Sequence, residues 1–337
     1  MPAGLLSVGH PPLIFSGAAD YVSKKFGGFI HFGINTFTGN GYSAYDPTTS
    51  PNVFNPTSLN VGQWISTYKT AKMKYAILTI KHAMGFLPYP SSNTTFGIAS
   101  STWYAANGSP DIVAEFVNWC RALGIIPGFY ISTADLNFEH NISGGTFTQA
   151  AYRAYNQAII IELLTKYGPI GVFWFDTNNW GFGTPSYTGS AGYGTYGPWS
   201  SAGDMRAFVQ SIQPTCLCIV DDHTHSYASQ DVAEFEIFSV VTEGAYATSS
   251  DAIQSGNSQY AEEFLAIAAK NQGGVSGCGP CFHDANYTVI SASSILTEIS
   301  RVNACNGTLS LNAPPNQTGQ IDSSITSVLA TVGASLP

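Results

Sequence analysis

The sequence predicts an α/β fold of the (β/α)8 barrel type, and three observations carry that expectation. Short apolar runs alternate with amphipathic stretches along the 337 residues, the mark of parallel strands joined by helical crossovers. Eight such runs fit one barrel of this length. Polar residues recur at the C-terminal ends of the runs, where a barrel gathers its active site. A doubly wound open sheet is the competing architecture. It loses support because no G-x-G-x-x-G follows the first run and no G-x-x-x-x-G-K-S/T occurs.

Strands are expected at 28–35 (GFIHFGIN), 74–82 (KYAILTIKH), 125–132 (IIPGFYIS), 171–177 (GVFWFDT), 216–222 (CLCIVDD), 235–241 (FEIFSVV), 273–279 (GGVSGCG) and 308–315 (TLSLNAPP). Helices are expected between them. The 60–72 stretch puts Trp64, Tyr68 and Ala71 on one side. The 111–124 stretch opens on Asp111, a natural N-cap, and ends on Gly124, a natural C-cap. Helices follow at 148–168, 258–273 and 291–302. Glu115, Glu162, Glu262 and Glu263 fall inside these helices and read as solvated faces.

Composition narrows the partners. The net charge is −9, from 12 basic and 21 acidic residues. That balance argues against nucleic acid and anionic lipid, both of which need clustered Lys and Arg. A neutral substrate such as a sugar is compatible with it. The 18 Tyr, 20 Phe and 6 Trp suit stacking on sugar rings, and equally a large aromatic core. No run of 18 apolar residues suggests a membrane span. Sequons at Asn93, Asn107, Asn141, Asn286, Asn306 and Asn316 point to a secreted glycoprotein, with a leader already removed. Cys120, Cys216, Cys218, Cys278, Cys281 and Cys305 permit disulfides there. The Cys278–Cys281 pair reads as a loop-stiffening bridge rather than a redox or zinc motif.

The strand ends supply His31, the Lys81–His82 pair, Tyr130 with Ser132, Asp176, the Asp221–Asp222 pair, and Glu234, Glu236 and Glu243. Asp176 closes the apolar run Val172, Phe173, Trp174 and Phe175. A carboxylate there is costly unless it meets solvent, a partner or a substrate. A retaining glycosidase needs one carboxylate as nucleophile and a second, protonated acid about 5–5.5 Å away. Two His in the Asp221–His225 run invite a metal reading, but a loop hydrogen bond or sugar contact is preferred. No metal and no cofactor are expected.

The segments GGFIHFGINTF, VGQWISTYKTAKMKYAILTIKHAMGFLPYPSS, DIVAEFVNWCRALGIIPGFYIS, LLTKYGPIGVFWFDT and NGTLSLNAPPNQTGQID resemble, in order, the landmarks of family 29 glycoside hydrolases, the α-L-fucosidases. The resemblance is dense over 26–180 and returns at 303–322. It implies a retaining, exo-acting α-L-fucosidase taking terminal L-fucose from oligosaccharides or glycoconjugates, with Asp176 as nucleophile. His31, His82, Tyr130, Trp174 and Glu236 are the residues it implies against the sugar. Ala83 and Met84 depart from the family's His and Asp in that motif. The segment VAEFEIFSV resembles the α-1,3/1,4-acting subgroup, which implies Glu234 as acid/base, with Glu236 and Glu243 as alternatives. A catalytically silent, glycan-binding relative and a glycosidase for another sugar are the competing readings. One catalytic domain over 1–337 is expected, without the family's C-terminal β-sandwich. Within it, 1–25 is an N-terminal extension and 181–200 a loop over the site.

Overall fold

The computed structural model describes residues 13–38, 48–139, 147–176, 198–221, 230–237, 253, 259–270, 281–283 and 287–337. Among them, eight parallel strands form one ring: β1 (Phe26–Ile30), β2 (Tyr75–Lys81), β3 (Ile126–Ser132), β4 (Val172–Asp176), β5 (Leu217–Asp221), β6 (Ala233–Ile237), β7 (Ala261–Ala266) and β10 (Gly307–Asn312). Their order is β5-β4-β3-β2-β1-β10-β7-β6. A parallel bridge between Ile219 and Val232 brings β5 and β6 together, so the barrel is nearly closed. A short ribbon of β8 (Ala268–Lys270) and β9 (Tyr287–Val289) stands beside it.

The helices are α1 (Ala18–Ser23), α2 (Asn35–Thr38), α3 (Val61–Thr70), α4 (Thr102–Ala106), α5 (Ile112–Leu123), α6 (Gln149–Lys166), α7 (Ala202–Ile212), α8 (Ala292–Ala304) and α9 (Ser323–Ser335). Their ends follow local chemistry. Asp111 caps α5 by accepting from the Ala114 N–H at 2.9 Å, and Gly124 closes it with φ 69°. Trp64 and Tyr68 of α3 are fully buried, and the Tyr68 hydroxyl donates to the Phe29 carbonyl at 2.6 Å. That bond locks α3 to β1.

Strand alternation divides the core in two. Ile30, Leu78, Phe129, Phe173, Phe175, Val220 and Leu311 pack outward against the helices. Phe29, Ile77, Tyr130, Val172, Trp174, Ile219 and Phe264 fill the barrel interior. The N-terminal end is sealed by the extension before β1. Tyr21 of α1 is fully buried and its ring lies 4.9 Å from Phe15 and 4.7 Å from Tyr75.

The expected 258–273 helix is overturned: its core is β7, hydrogen-bonded to β6 and to β10. Ala, Glu and Leu favour helix locally, but pairing on both edges outweighs so small a preference. Glu262 and Glu263 are therefore not a solvated face; both are fully buried. Each burial is compensated. Trp174 and Ser310 donate to Glu262, while the Ile253 N–H and Arg301 of α8 donate to Glu263. The seventh barrel strand is β7, and the expected strand at 273–279 lies outside the described residues. Glu115 and Glu162 do sit in helices, yet Glu162 is no idle surface charge. It accepts from Tyr89, Ser91 and Asn93 at 3.1, 2.5 and 2.8 Å.

Helix α9 crosses α3 at Gly333, where a Cβ would stand 2.0 Å from the Thr70 carbonyl oxygen. Gly333→Ala must push the helices apart and is expected to cost about 1–3 kcal/mol. A thermal melt followed by circular dichroism tests this. An unchanged midpoint would show that the crossing yields freely.

Candidate active site

The polar strand ends meet at the C-terminal mouth of the barrel. Asp176, the last residue of β4, lies beside Ser132 of β3 on one side and Asp221 of β5 on the other. Its side chain is partly exposed, unlike the four apolar residues before it. The Tyr130 phenol donates to Asp176 Oδ2, which holds the carboxylate in one orientation. On β6, Glu234 is buried and in register with Glu262 of β7. Asp221 and Glu234 occupy the same alternation as Ile219 and Val232, so both face the interior. The mouth thus carries Asp176 and Asp221 side by side, while Glu234 stands near the start of β6, on the interior face. Glu236 lies on β6 in register with Phe264. Glu243, Asp222, His223, His225, Cys278 and residues 181–197 lie outside the described residues.

His31 follows β1 and is buried. Its Nδ1 is 3.0 Å from Asn312 Oδ1. The orientation of that amide is fixed, because Asn312 Nδ2 donates to the Cys281 carbonyl at 2.8 Å. Oδ1 must therefore accept, so Nδ1 carries the ring proton and Nε2 is left as an acceptor. Burial, reinforced by the His82 charge, pushes His31 down to about 3 against the Asn312 hydrogen bond, so the ring is neutral. Burial likewise lowers His82; Asp176 opposes that shift and Lys81 adds to it.

Aromatic rings wall these two histidines. Phe282 lies edge-on to both, 5.3 Å from His31 and 5.3 Å from His82. Tyr130 lies 5.4 Å from His31 and stacks at 5.9 Å from His82. A small cavity beside His82 is lined by Phe32, Asn35, Thr79, Met84, Phe86 and Phe282. Phe282 is held there from behind. Its neighbour His283 contacts Asp322 at 2.7 Å, and Tyr287 and Asn316 donate to the same carboxylate. Trp174 is buried beneath Tyr130, with its indole N–H committed to Glu262 at 2.7 Å.

A second charged group supports the floor. Lys81 is completely buried, 3.3 Å from Asp135, and donates to the Ala134 carbonyl at 3.1 Å. Burial lowers its proton affinity, while Asp135, Glu139 and Asp176 raise it. Gly85 makes room for Asp135. Its φ is +81°, and a Cβ would lie 2.1 Å from Asp135 Oδ1. Ala83 and Met84, flanking this contact, are buried.

The structure brings His31, His82, Tyr130 and Asp176 together; Glu234 is buried on β6, in register with Glu262. Asn312, Phe282 and Asp135 were not anticipated. Asn312 obeys the same rule as Asp176, a polar residue closing an apolar strand, and was legible on that ground. Phe282 and Asp135 lie in segments without periodicity. Cys120, Cys216 and Cys218 are free, buried thiols, and Cys281 and Cys305 are buried.

The family model "Alpha-L-fucosidase" matches residues 38–337. "Alpha-L-fucosidase 1" of Arabidopsis thaliana is 38% identical over 148 residues, 44% of this chain and 28% of that protein. The matched stretch spans little more than a quarter of the curated relatives' length. Solved structures share the fold, two of them as follows. One, a glycoside hydrolase 29 family member from an unknown rumen bacterium, has a TM-score of 0.68 and 23% identity, covering 96% of this chain and 57% of that one. The other, α-L-fucosidase isoenzyme 1 from Paenibacillus thiaminolyticus, has a TM-score of 0.66 and 22% identity, covering 92% and 73%.

Burial raises Glu262 from 4.5 to about 7, and raises Glu139 to about 7 with help from Asp135. The folded chain binds these protons more tightly than the unfolded one. Their contribution to stability is complete below pH 4.5 and is lost as pH rises through about 7. For Glu262 it is on the order of 3 kcal/mol. The melting temperature is expected to fall from about pH 5 to about pH 8, and less steeply in Glu262→Gln. Parallel slopes would remove Glu262 from this account.

Proposed function

Since the chain belongs to the α-L-fucosidase family, we propose that it is a retaining, exo-acting α-L-fucosidase with Asp176 as nucleophile. The observation that carries the reading is Asp176 itself: a partly exposed carboxylate at the barrel mouth, oriented by a phenol and in register with Asp221 on the next strand. Asp176 attacks the anomeric carbon of a terminal α-L-fucosyl unit while Glu234 gives a proton to the departing glycosidic oxygen. The C–O bond breaks and a fucosyl ester forms on Asp176. Water then attacks the same carbon, Glu234 takes its proton, and Asp176 leaves as carboxylate. Two displacements at one carbon restore the starting configuration.

Burial of Glu234 suits an acid that must hold its proton until the bond breaks. His31, neutral and with Nε2 as acceptor, suits a sugar hydroxyl that donates. His82 and Tyr130 complete the cradle, with Trp174 packed beneath Tyr130; Glu236 is assigned to sugar binding on the family resemblance alone. Phe282 and Phe86 offer apolar surface to the sugar's methyl group. The substrate is a fucosylated oligosaccharide or glycoprotein glycan, and the resemblance of the β6 segment favours α-1,3 and α-1,4 linkages. The sequons and sparse charge favour a secreted glycoprotein; Asn107 and Asn306 are exposed.

Release of free L-fucose from α-1,2-, α-1,3-, α-1,4- and α-1,6-linked oligosaccharides tests the reading. The wild type is expected to release fucose, and Asp176→Ala to lose at least about a thousandfold in kcat. Binding without release in the wild type would favour the silent, glycan-binding relative suggested by Ala83 and Met84. Asn312→Asp replaces a neutral partner of His31 with a carboxylate, which favours a protonated ring and turns Nε2 into a donor. KM is expected to rise about tenfold with kcat less affected. An unchanged KM would remove His31 from sugar recognition.

A further inference from the structure

Below Asp176 four residues form one connected chain through the barrel. Glu262 of β7 is fully buried, and its Oε2 accepts from the Trp174 indole at 2.7 Å. The Ser310 hydroxyl of β10 donates to the other oxygen. The Trp174 ring stacks on Tyr130 with centroids 5.2 Å apart and planes 28° from parallel. The Tyr130 phenol donates to Asp176 Oδ2. Phe29 meets both rings edge-on, 5.6 Å from Tyr130 and 5.7 Å from Trp174, and limits their sliding.

We infer that Glu262 is a positioning residue for Asp176: by holding the Trp174 indole it fixes the platform on which the Tyr130 phenol rests, and with it the donor that orients the carboxylate. This rests on the reading of Asp176 as nucleophile. A carboxyl group suits the role because its two oxygens accept from donors on two strands at once. Those strands, β4 and β10, lie on different sides of the ring. Tyr21 of α1, Tyr75 of β2 and Asp221 of β5 also face Glu262. An apolar residue would leave the indole N–H buried without its acceptor.

The test compares Glu262→Gln, which keeps an acceptor for the indole, with Glu262→Met, which removes it at similar volume. Glu262→Met is expected to lose about tenfold or more in kcat, with KM changed by less than about threefold. Glu262→Gln should restore kcat. In a Trp174→Phe background, already cut at the next link, Glu262→Met should add little. Equal losses in the two Glu262 variants, a KM that rises as much as kcat falls, or additive losses in the double variant would overturn the inference.

The indole N–H resonance of Trp174 gives a readout that needs neither activity nor the Met variant. It should titrate with a midpoint of about 7 in the wild type and stay flat in Glu262→Gln. A resonance that ignores pH in the wild type would overturn the link even if Glu262→Met fails to fold. Failure of the wild type to release any fucose would instead sink the functional reading, which the resonance does not address.

Discussion

A nearly closed ring of parallel strands sends every second side chain into a packed interior. Each polar residue on that face must find a partner inside or sit at the open end. This constraint sorts the molecule. Low in the barrel, Tyr75 bonds to Thr308 and Ser310, and Glu262 to Ser310 and Trp174. At the mouth, Asp176 is partly exposed. Between the two levels, Phe29, Ile77 and Phe264 are apolar and need no partner.

The same constraint explains what the sequence reveals. Alternation marks β1 to β5 because their outward residues are continuously apolar and their polar residues gather at the ends. Asp176 stands out for that reason, and the capping residues Asp111 and Gly124 advertise their helix directly. The β7 segment hides itself. Its Ala, Glu and Leu content mimics an amphipathic helix, and two adjacent glutamates look solvated. Only the tertiary structure supplies Trp174, Ser310 and Arg301, residues 38 to 88 positions away in the chain, which make those charges tolerable. No local pattern encodes such partners. Phe282 is opaque for a related reason: its placement depends on the Asp322 knot formed with His283, Tyr287 and Asn316.

The floor of the site pairs hydrophobic enclosure with a buried cation. Lys81 is an expensive residue to bury, and Asp135 offsets much of that expense. Its positive charge also lies within electrostatic reach of Asp176. The departures at Ala83 and Met84 leave this arrangement intact, since Asp135 comes from the loop after β3. The motif's altered centre changes the wall beside His82, and the charge pattern beneath it persists.

Among the described residues, the plug of Phe15, Tyr21 and Tyr75 closes the N-terminal end and leaves the C-terminal mouth as the way in. A ligand bound at the mouth and whatever is cut from it must use the same doorway. Arrival and departure are therefore in competition. Under the proposed function, a freed sugar held against His31 and His82 would stand where the next substrate must bind, and its release would set how fast the doorway clears.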